Sequence, residues 1–178
     1  EIRDVLANTA GECERLTRLL RGLLFLSRAD SKQATIAPVD LMLDTEIGTI
    51  ANYFETNAES AGLTLDVHCA PGITVHADRE LLQQAVSNLI ANSIAHTPPG
   101  GRITLSTERA GSDAVIRVED TGEGIPPEHH ARLFDRFYRA SADDRAARAG
   151  QRLGLGLSIV KSIVELHGGR ISFDSAPG

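Results

Sequence analysis

The chain has 178 residues, of which 42% are hydrophobic and only 4% aromatic. This length suits one domain with an appendage, and the core must be built from leucine, isoleucine, valine and alanine. The formal net charge of −6 and the lack of a lysine- and arginine-rich block argue against nucleic acid as a partner. No apolar run of about 18 residues is present, so no transmembrane helix is expected in this sequence. Because the chain does not begin with Met and ends on a turn-like sequence, we expect it to be a piece of a longer protein.

The first 29 residues are predicted to form one helix, because their apolar residues recur at intervals of three and four. The pattern is weak at Thr9 and Glu12, and Leu20 and Leu24 widen it into a stripe suited to a helical bundle. The stripe favours a partner helix, from a hairpin or a second molecule, and the alternative is a helix packed on its own domain. Residues 30–37 are predicted to be a linker.

The rest of the chain alternates irregularly between strand and helix patterns. Asp40 is predicted to cap a helix that stops at Gly62. Asp78 is predicted to cap a strongly apolar helix over residues 79–96. Strands are predicted at residues 36–39, 63–69, 73–76, 102–108, 114–119 and 170–174, and a last helix at 155–167. Residues 140–152 have no periodicity and are interpreted as a mobile lid. The pattern indicates an α/β sandwich with a mixed sheet and helices on one face.

Asn88 and Asn92 stand four residues apart on the apolar helix and therefore share one face. Buried carboxamides need partners, and their oxygens suit a hard cation such as Mg²⁺. The alternative is that both side chains bond to the backbone. His96 lies four residues further along and is placed to reach a phosphate, although a lone histidine there is more often an ordinary helix-end residue.

Asp120 ends a predicted strand and opens a glycine-rich loop over residues 120–125. A carboxylate accepts hydrogen bonds, which suits an exocyclic amino group such as that of adenine. Gly122 and Gly124 let the backbone approach a flat ring closely. The alternative is a tight turn with a solvated aspartate.

Gly154 and Gly156 open the last predicted helix, and free N–H groups at such a terminus bind anions. No Gly-Lys-Ser/Thr follows, so this is not a Walker A loop. The third glycine and the strand–loop–helix setting of a Rossmann fingerprint are also missing.

Taken together in this order, the motifs resemble the GHKL-type catalytic domain of sensor histidine kinases. Residues 88–98 are similar to the N box, residues 120–125 to the G1 box, residues 133–139 to the F box and residues 154–161 to the G2 box. Residues 14–28 resemble the second helix of the dimerisation and histidine-phosphotransfer domain. Residues 53–62 and 96–101 resemble kinases of the heavy-metal-sensing group.

This resemblance implies a two-layer α/β sandwich of the GHKL ATP-binding fold, with ATP and Mg²⁺ as cofactors. It implies Mg²⁺ coordination by Asn92 assisted by Asn88, and acceptance of the adenine amine by Asp120. The implied nucleotide-binding residues are Asn88, Asn92, His96, Asp120, Gly122, Gly124, Ile125, Arg136, Arg139, Gly154, Leu155, Gly156 and Leu157. The family often has a lysine before the His96 position, where this chain has Ala95. That phosphate contact is therefore either lost or supplied by Arg145, Arg148 or Arg152 of the predicted lid.

The same resemblance divides the chain into residues 1–29 (part of the dimerisation helix), 30–37 (linker) and 38–178 (catalytic domain, whose last strand is expected to be missing). It implies a homodimer through the N-terminal helix, a response regulator as partner, and a parent protein anchored in the bacterial inner membrane with this part in the cytoplasm. No histidine lies in the sequence context of the family's phosphoacceptor, and His129 and His130 are interpreted as surface residues. The alternatives are another GHKL ATPase, such as a chaperone or a topoisomerase ATPase, and a module that only dimerises.

Overall fold

A computed structural model describes residues 17, 20, 22–29, 31, 34–139 and 154–176 of the chain. These residues form five helices and five strands. In chain order they are α1 (residues 22–29), β1 (Val39–Met42), α2 (Leu43–Ser60), β2 (Thr64–Cys69), β3 (Thr74–Ala77), α3 (Arg79–His96), β4 (Arg102–Ala110), β5 (Asp113–Asp120), α4 (Pro127–His130) and α5 (Gly156–Leu166). The residues predicted as a lid lie outside the described part, as do the first 16 residues of the predicted N-terminal helix.

The strands form two separate sheets. In the larger one β4 is central, with β2 parallel on one side and β5 antiparallel on the other. The smaller one is an antiparallel pair in which Val39 of β1 lies opposite Ala77 of β3. The predicted mixed sheet and the hairpin around residues 110–113 are confirmed, but β1 and β3 form a ribbon of their own and do not extend that sheet.

Helices α2 and α3 cover one face of the larger sheet. Strand alternation brings Leu105 and its neighbours to this face, where they meet the apolar side of both helices. The core there contains Ile47, Ile50, Ala51, Phe54, Val86, Ile90 and Leu105. The opposite face carries ion pairs between Arg102 and Asp66 and between Arg117 and Glu108. This confirms the prediction of helices on one face.

A second core joins α1, α3 and α5. Leu26 of α1 is fully buried there among Ala85, Leu155, Ile159, Val160 and Ile163. The packing is close, because a Cβ atom at Gly22 would lie 3.0 Å from Ile159 Cδ1. Leu23 and Leu24 on α1 and Leu20 just before it remain exposed. The helix therefore packs on its own domain through one side, while no described residue covers these leucines.

The first predicted strand and helix cap were wrong. The strand occupies Val39–Met42 and not residues 36–39, because its register follows β3. Asp40 lies within this strand, where its Oδ1 atom is 2.9 Å from Nδ1 of His76 on the opposite strand. No side chain caps α2, and the Leu43 amide donates instead to the carbonyl of Ile73.

The strand predicted over residues 170–174 was also wrong. This segment has no regular structure, and within the described residues it pairs with no strand. Its side chains are held by tertiary contacts instead: Ile171 packs on the second core, and Phe173 lies edge-on to the rings of His130 and Phe134. The alternating apolar residues of this segment therefore pack against other side chains and do not form part of a β-strand.

Asp78 joins three parts of the fold at the start of α3. Its Oδ1 accepts from the Leu81 amide at 3.1 Å, which confirms the predicted cap. Its Oδ2 accepts from the Ala37 amide at 2.9 Å, and its own amide donates to His167 Nε2 at 3.0 Å. The Ala37 amide is the main reason that the pKa of Asp78 lies below its ordinary value; partial burial opposes that shift.

None of the helices in the described part of the chain has the length and apolarity needed to cross a membrane.

We predict that Asp78→Ala lowers the free energy of unfolding by about 1–2 kcal/mol at neutral pH, because an N-cap and a second amide partner are lost. Since the folded-state pKa is lowered, the ionised group stabilises the fold above the ordinary value of 3.8, and this contribution disappears as the pH falls through the folded-state pKa. Urea unfolding of both proteins at pH 7 and near pH 3 measures the difference.

Asp44→Ala is the matched control, because Asp44 also stands in a first helical turn but, among the described residues, is hydrogen bonded only to its neighbour Thr45. Equal losses in the two variants, or a loss for Asp78→Ala that does not shrink in acid, would contradict this account.

Candidate functional site

The C-terminal half of α3 turns polar side chains towards α5. Asn88, Asn92 and His96 recur every four residues and so lie on one side of the helix. A Cβ atom added at Gly156, the first residue of α5, would lie 3.8 Å from Asn92 Oδ1. The structure therefore brings Asn92 and the start of α5 together across a gap that the missing side chain of Gly156 leaves open.

Asn88 lies one turn earlier and carries an unsatisfied polar atom. Its Nδ2 is buried and has no hydrogen-bond partner among the residues described. A buried amide without a partner costs free energy. Because the assignment of carboxamide oxygen and nitrogen depends on the neighbours, a half-turn of the side chain would present the oxygen instead. This side chain is therefore suited to a polar group that enters from outside the protein.

Asp120 lies at the end of β5 with both carboxylate oxygens held by the protein. Ser93 Oγ donates to Oδ2 at 2.8 Å, and the Gly122 amide donates to Oδ1 at 3.0 Å. Asp120 is nevertheless exposed to solvent. Each carboxylate oxygen accepts more than one hydrogen bond, so the carboxylate is fixed in orientation and still able to accept from a ligand.

The loop after Asp120 is joined to the end of α3. The Glu123 amide donates to the His96 carbonyl at 3.4 Å, and Glu123 Oε1 lies 3.4 Å from His96 Nδ1. A Cβ atom at Gly122 would lie only 2.6 Å from the His96 carbonyl oxygen and 2.8 Å from Asp120 Oδ1. Only glycine therefore fits at this position.

The far end of the loop is anchored by side chains that come later in the chain. Gly124 has a φ of +70°. The Ile125 amide donates to Ser175 Oγ at 2.9 Å, and His130 Nε2 donates to the Ile125 carbonyl at 2.8 Å. The loop is thus held at both ends.

The interpretation of His129 and His130 as surface residues was wrong. Both are half-buried. The His130 ring lies edge-on to Phe173 with centroids 4.9 Å apart, and His129 Nδ1 is 2.7 Å from the hydroxyl of Tyr138. The two histidines support the loop and the segment after α4.

The approach to α5 runs through a tight backbone contact. Gly154 has a φ of +66°, and its carbonyl accepts from the Phe137 amide at 2.9 Å. A Cβ atom at Gly154 would lie 2.5 Å from the carbonyl oxygen of Tyr138. Leu155 is buried in the second core, and among the described residues no side chain caps α5. The first amides of the helix are therefore available to an anion.

The remaining predicted site residues flank this turn. Leu157 is half-buried in the first turn of α5. Arg136 and Arg139 are exposed on either side of Phe137 and Tyr138, the two residues that contact Gly154.

Three residues that support the site were not predicted: Ser93, His130 and Ser175. Ser93 carried a signal, since a serine next to Asn92 on an otherwise apolar helix needs a partner when buried. His130 and Ser175 carried none, because their partners are backbone groups of a loop whose path is set by tertiary contacts.

The family profile described as Histidine kinase-, DNA gyrase B-, and HSP90-like ATPase matches residues 77–178, which include α3, the glycine-rich loop and the start of α5. The chain belongs to this ATPase family. The match covers all the predicted site residues and confirms the resemblance seen in the motifs.

Relatives of this ATPase domain are sensor proteins. The chain is 40% identical over 177 residues to the sensor protein IrlS of Burkholderia pseudomallei, covering 99% of this chain and 37% of that protein. It is 37% identical over 175 residues to the sensor histidine kinase CusS of Escherichia coli O157:H7, covering 98% of this chain and 36% of the relative. The chain thus spans little more than a third of the curated relatives it matches.

The fold matches solved histidine kinases. Full-length ShkA, whose structure was determined in complex with AMPPNP, superposes with a TM-score of 0.82 and covers 98% of this chain and 36% of that chain, at 21% identity. At this identity the likeness establishes the fold, which is the predicted GHKL α/β architecture.

We predict that Gly154→Ala lowers the free energy of unfolding by about 2–4 kcal/mol, because the new methyl group meets backbone atoms of Tyr138 at a positive φ. Gly168→Ala is the matched control: Gly168 has a φ of +71° but nothing within 4 Å of an added Cβ, so the expected loss is only about 1 kcal/mol. Urea unfolding of the three proteins tests this, and equal losses would show that the contact at Gly154 does not constrain the turn.

Proposed function

We propose that this chain is the ATP-binding catalytic part of a sensor histidine kinase, which transfers the γ-phosphoryl group of ATP to a histidine on an upstream helix of the parent protein. The observation that carries the proposal is the carboxylate of Asp120, fixed from two sides beside a glycine loop, with Asn92 and the uncapped start of α5 nearby. The similarity to the sensor proteins IrlS and CusS, and to ShkA in its complex with AMPPNP, supports the same function.

Asp120 accepts a hydrogen bond from the adenine amino group in this proposal. Gly122 and Gly124 leave the loop without side chains at two positions, so the flat base approaches the backbone. Ile125 provides an apolar contact at the end of the loop, where His130 and Ser175 hold its backbone in place. The base is therefore recognised by a preformed edge of the protein.

The triphosphate lies at the start of α5. The amides that follow Gly154 and Gly156 would donate to phosphate oxygens, Leu155 keeps this turn packed against the domain, and Leu157 is half-buried beside it. His96 and the exposed Arg136 and Arg139 add positive charge or hydrogen-bond donors at the rim. Phosphoryl transfer depends mainly on such positioning and charge neutralisation.

The carboxamides of Asn88 and Asn92 fit a Mg²⁺ ion. Among the described residues no group of three or more His, Cys, Asp and Glu side chains is placed to hold a metal. Mg²⁺, however, commonly takes few protein oxygens and completes its shell with water and phosphate. The unpartnered carboxamide of Asn88 and the open space between Asn92 and Gly156 agree with that arrangement. When bound, the ion would neutralise charge on the phosphates.

In a kinase of this kind the chain divides into three parts. Residues 1–29 belong to a dimerisation helix, 30–37 to a linker and 38–178 to the catalytic domain. The exposed Leu20, Leu23 and Leu24 suit a homodimer through that helix. The parent protein is anchored in the inner membrane, and its phosphorylated histidine passes the phosphoryl group to a response regulator. The resemblance of residues 53–62 and 96–101 to heavy-metal-sensing kinases favours a heavy metal as the stimulus.

We predict that a non-hydrolysable ATP analogue binds the wild type in a Mg²⁺-dependent manner. Asn92→Ala should weaken binding about tenfold and remove most of the Mg²⁺ dependence, whereas Asp120→Ala should abolish measurable binding. Calorimetric titration with and without Mg²⁺ measures both effects. Asn57→Ala, an exposed asparagine on α2, is the control and should bind like the wild type. Wild-type affinity in both site variants would refute the assignment.

We also predict phosphoryl transfer when the chain is extended upstream to include the acceptor helix of its parent. Labelled ATP should give an acid-labile, alkali-stable phosphoprotein, and Asn92→Ala should slow its formation by at least about tenfold. ATP hydrolysis without any phosphohistidine would instead support an ATPase of another GHKL type.

A further inference from the structure

Ser93 connects the middle of the site to the protein core. It lies on α3 between Asn92 and His96 and is only 5% exposed. Its hydroxyl donates to Asp120 Oδ2 at 2.8 Å, across 27 residues of sequence. Its carbonyl accepts from the hydroxyl of Thr97 at 2.6 Å and from the Thr97 amide at 3.0 Å. The serine is therefore held on the helix while its hydroxyl points to the end of β5.

This use of the hydroxyl is specific. Serines within helices usually bond to the carbonyl four residues earlier, as Ser60 does with Thr56. Ser93 bonds instead to an exposed aspartate on another element. The second bond to Asp120 comes from the amide of Gly122, which is only two residues further along the chain. Among the residues that the structure describes, Ser93 alone ties the carboxylate to the helix α3.

We propose that Ser93 is a positioning residue that sets the base specificity of the site. This inference rests on the proposed function, in which Asp120 accepts from the amino group of adenine. With Oδ2 held by Ser93 and Oδ1 by Gly122, the carboxylate presents its remaining lone pairs in one fixed direction. The 6-amino group of adenine donates a hydrogen bond to these lone pairs. The 6-oxo group of hypoxanthine or guanine is itself an acceptor, so it cannot form this bond and is repelled by the carboxylate. Without Ser93 the carboxylate turns, and the two kinds of base are distinguished less well.

A nucleotide pair that differs only at this position tests the proposal. Non-hydrolysable analogues of ATP and ITP carry the same ribose and triphosphate but an amino or an oxo group at C6. Their dissociation constants are measured for the wild type, Ser93→Ala, Asp120→Asn and Thr107→Val. Alanine is the best helix former, so Ser93→Ala preserves α3. Thr107→Val is the matched control, since Thr107 is a buried hydroxyl residue on β4 that is not among the site residues.

We expect the wild type to prefer the ATP analogue. Ser93→Ala should bind the ATP analogue about tenfold more weakly and the ITP analogue within about twofold of the wild type, so that the preference shrinks about tenfold. Thr107→Val should keep the wild-type preference. Equal weakening of both nucleotides by Ser93→Ala, or an unchanged preference, would overturn the proposal, because a purely structural role affects both analogues alike.

The role of Asp120 is tested separately in the same experiment. If Asp120→Asn abolishes the preference while Ser93→Ala leaves it intact, the proposed function stands and the role of Ser93 falls. If the wild type shows no preference, or Asp120→Asn keeps it, the assignment of Asp120 to the base fails, and the inference on Ser93 fails with it.

Discussion

The two-sided burial of α3 is the constraint on which the rest of the structure depends. One side of this helix packs into the core beneath the sheet through Leu82, Val86, Ile90 and Ile94, and another packs against α1 and α5 through Leu81, Ala85 and Leu89. A helix fixed on two sides cannot rotate or slide without disrupting both cores. The polar residues of its C-terminal half are therefore held at fixed positions between the sheet and α5.

The candidate site combines this rigid helix with loops that are anchored individually. Asn88, Asn92 and Ser93 belong to the helix, Asp120 ends β5, and the glycines after it belong to a loop held by His130 and Ser175. Backbone in an irregular loop has no ladder of its own to hold it, so side chains from elsewhere supply the missing hydrogen bonds. Hydrogen bonds within the protein therefore fix the binding surface, which lowers the cost of ordering it on binding.

The features predicted most accurately from the sequence are those that depend on neighbouring residues. The cap at Asp78, the helix that follows and the hairpin after it depend on neighbouring residues, and all three are confirmed. The first strand and the segment over residues 170–174 were misplaced because pairing with β3, and packing of Phe173 against His130, are set by distant partners. At the site, the two asparagines, Asp120 and the glycines stood out by residue type and spacing. Ser93 did not, because its significance lies in one hydrogen bond to a residue 27 positions away.

The hydrogen bond between the Phe137 amide and the Gly154 carbonyl has a consequence for the length of the chain between them. It brings two points 17 residues apart in the sequence into direct contact, so the ends of the intervening segment are fixed by the domain and not by the segment itself. The entropy of closing a flexible loop grows only with the logarithm of its length, by about 0.6 kcal/mol for each doubling. A change in the number of residues between these two anchors should therefore cost the domain little stability and leave the geometry at Gly154 largely unchanged.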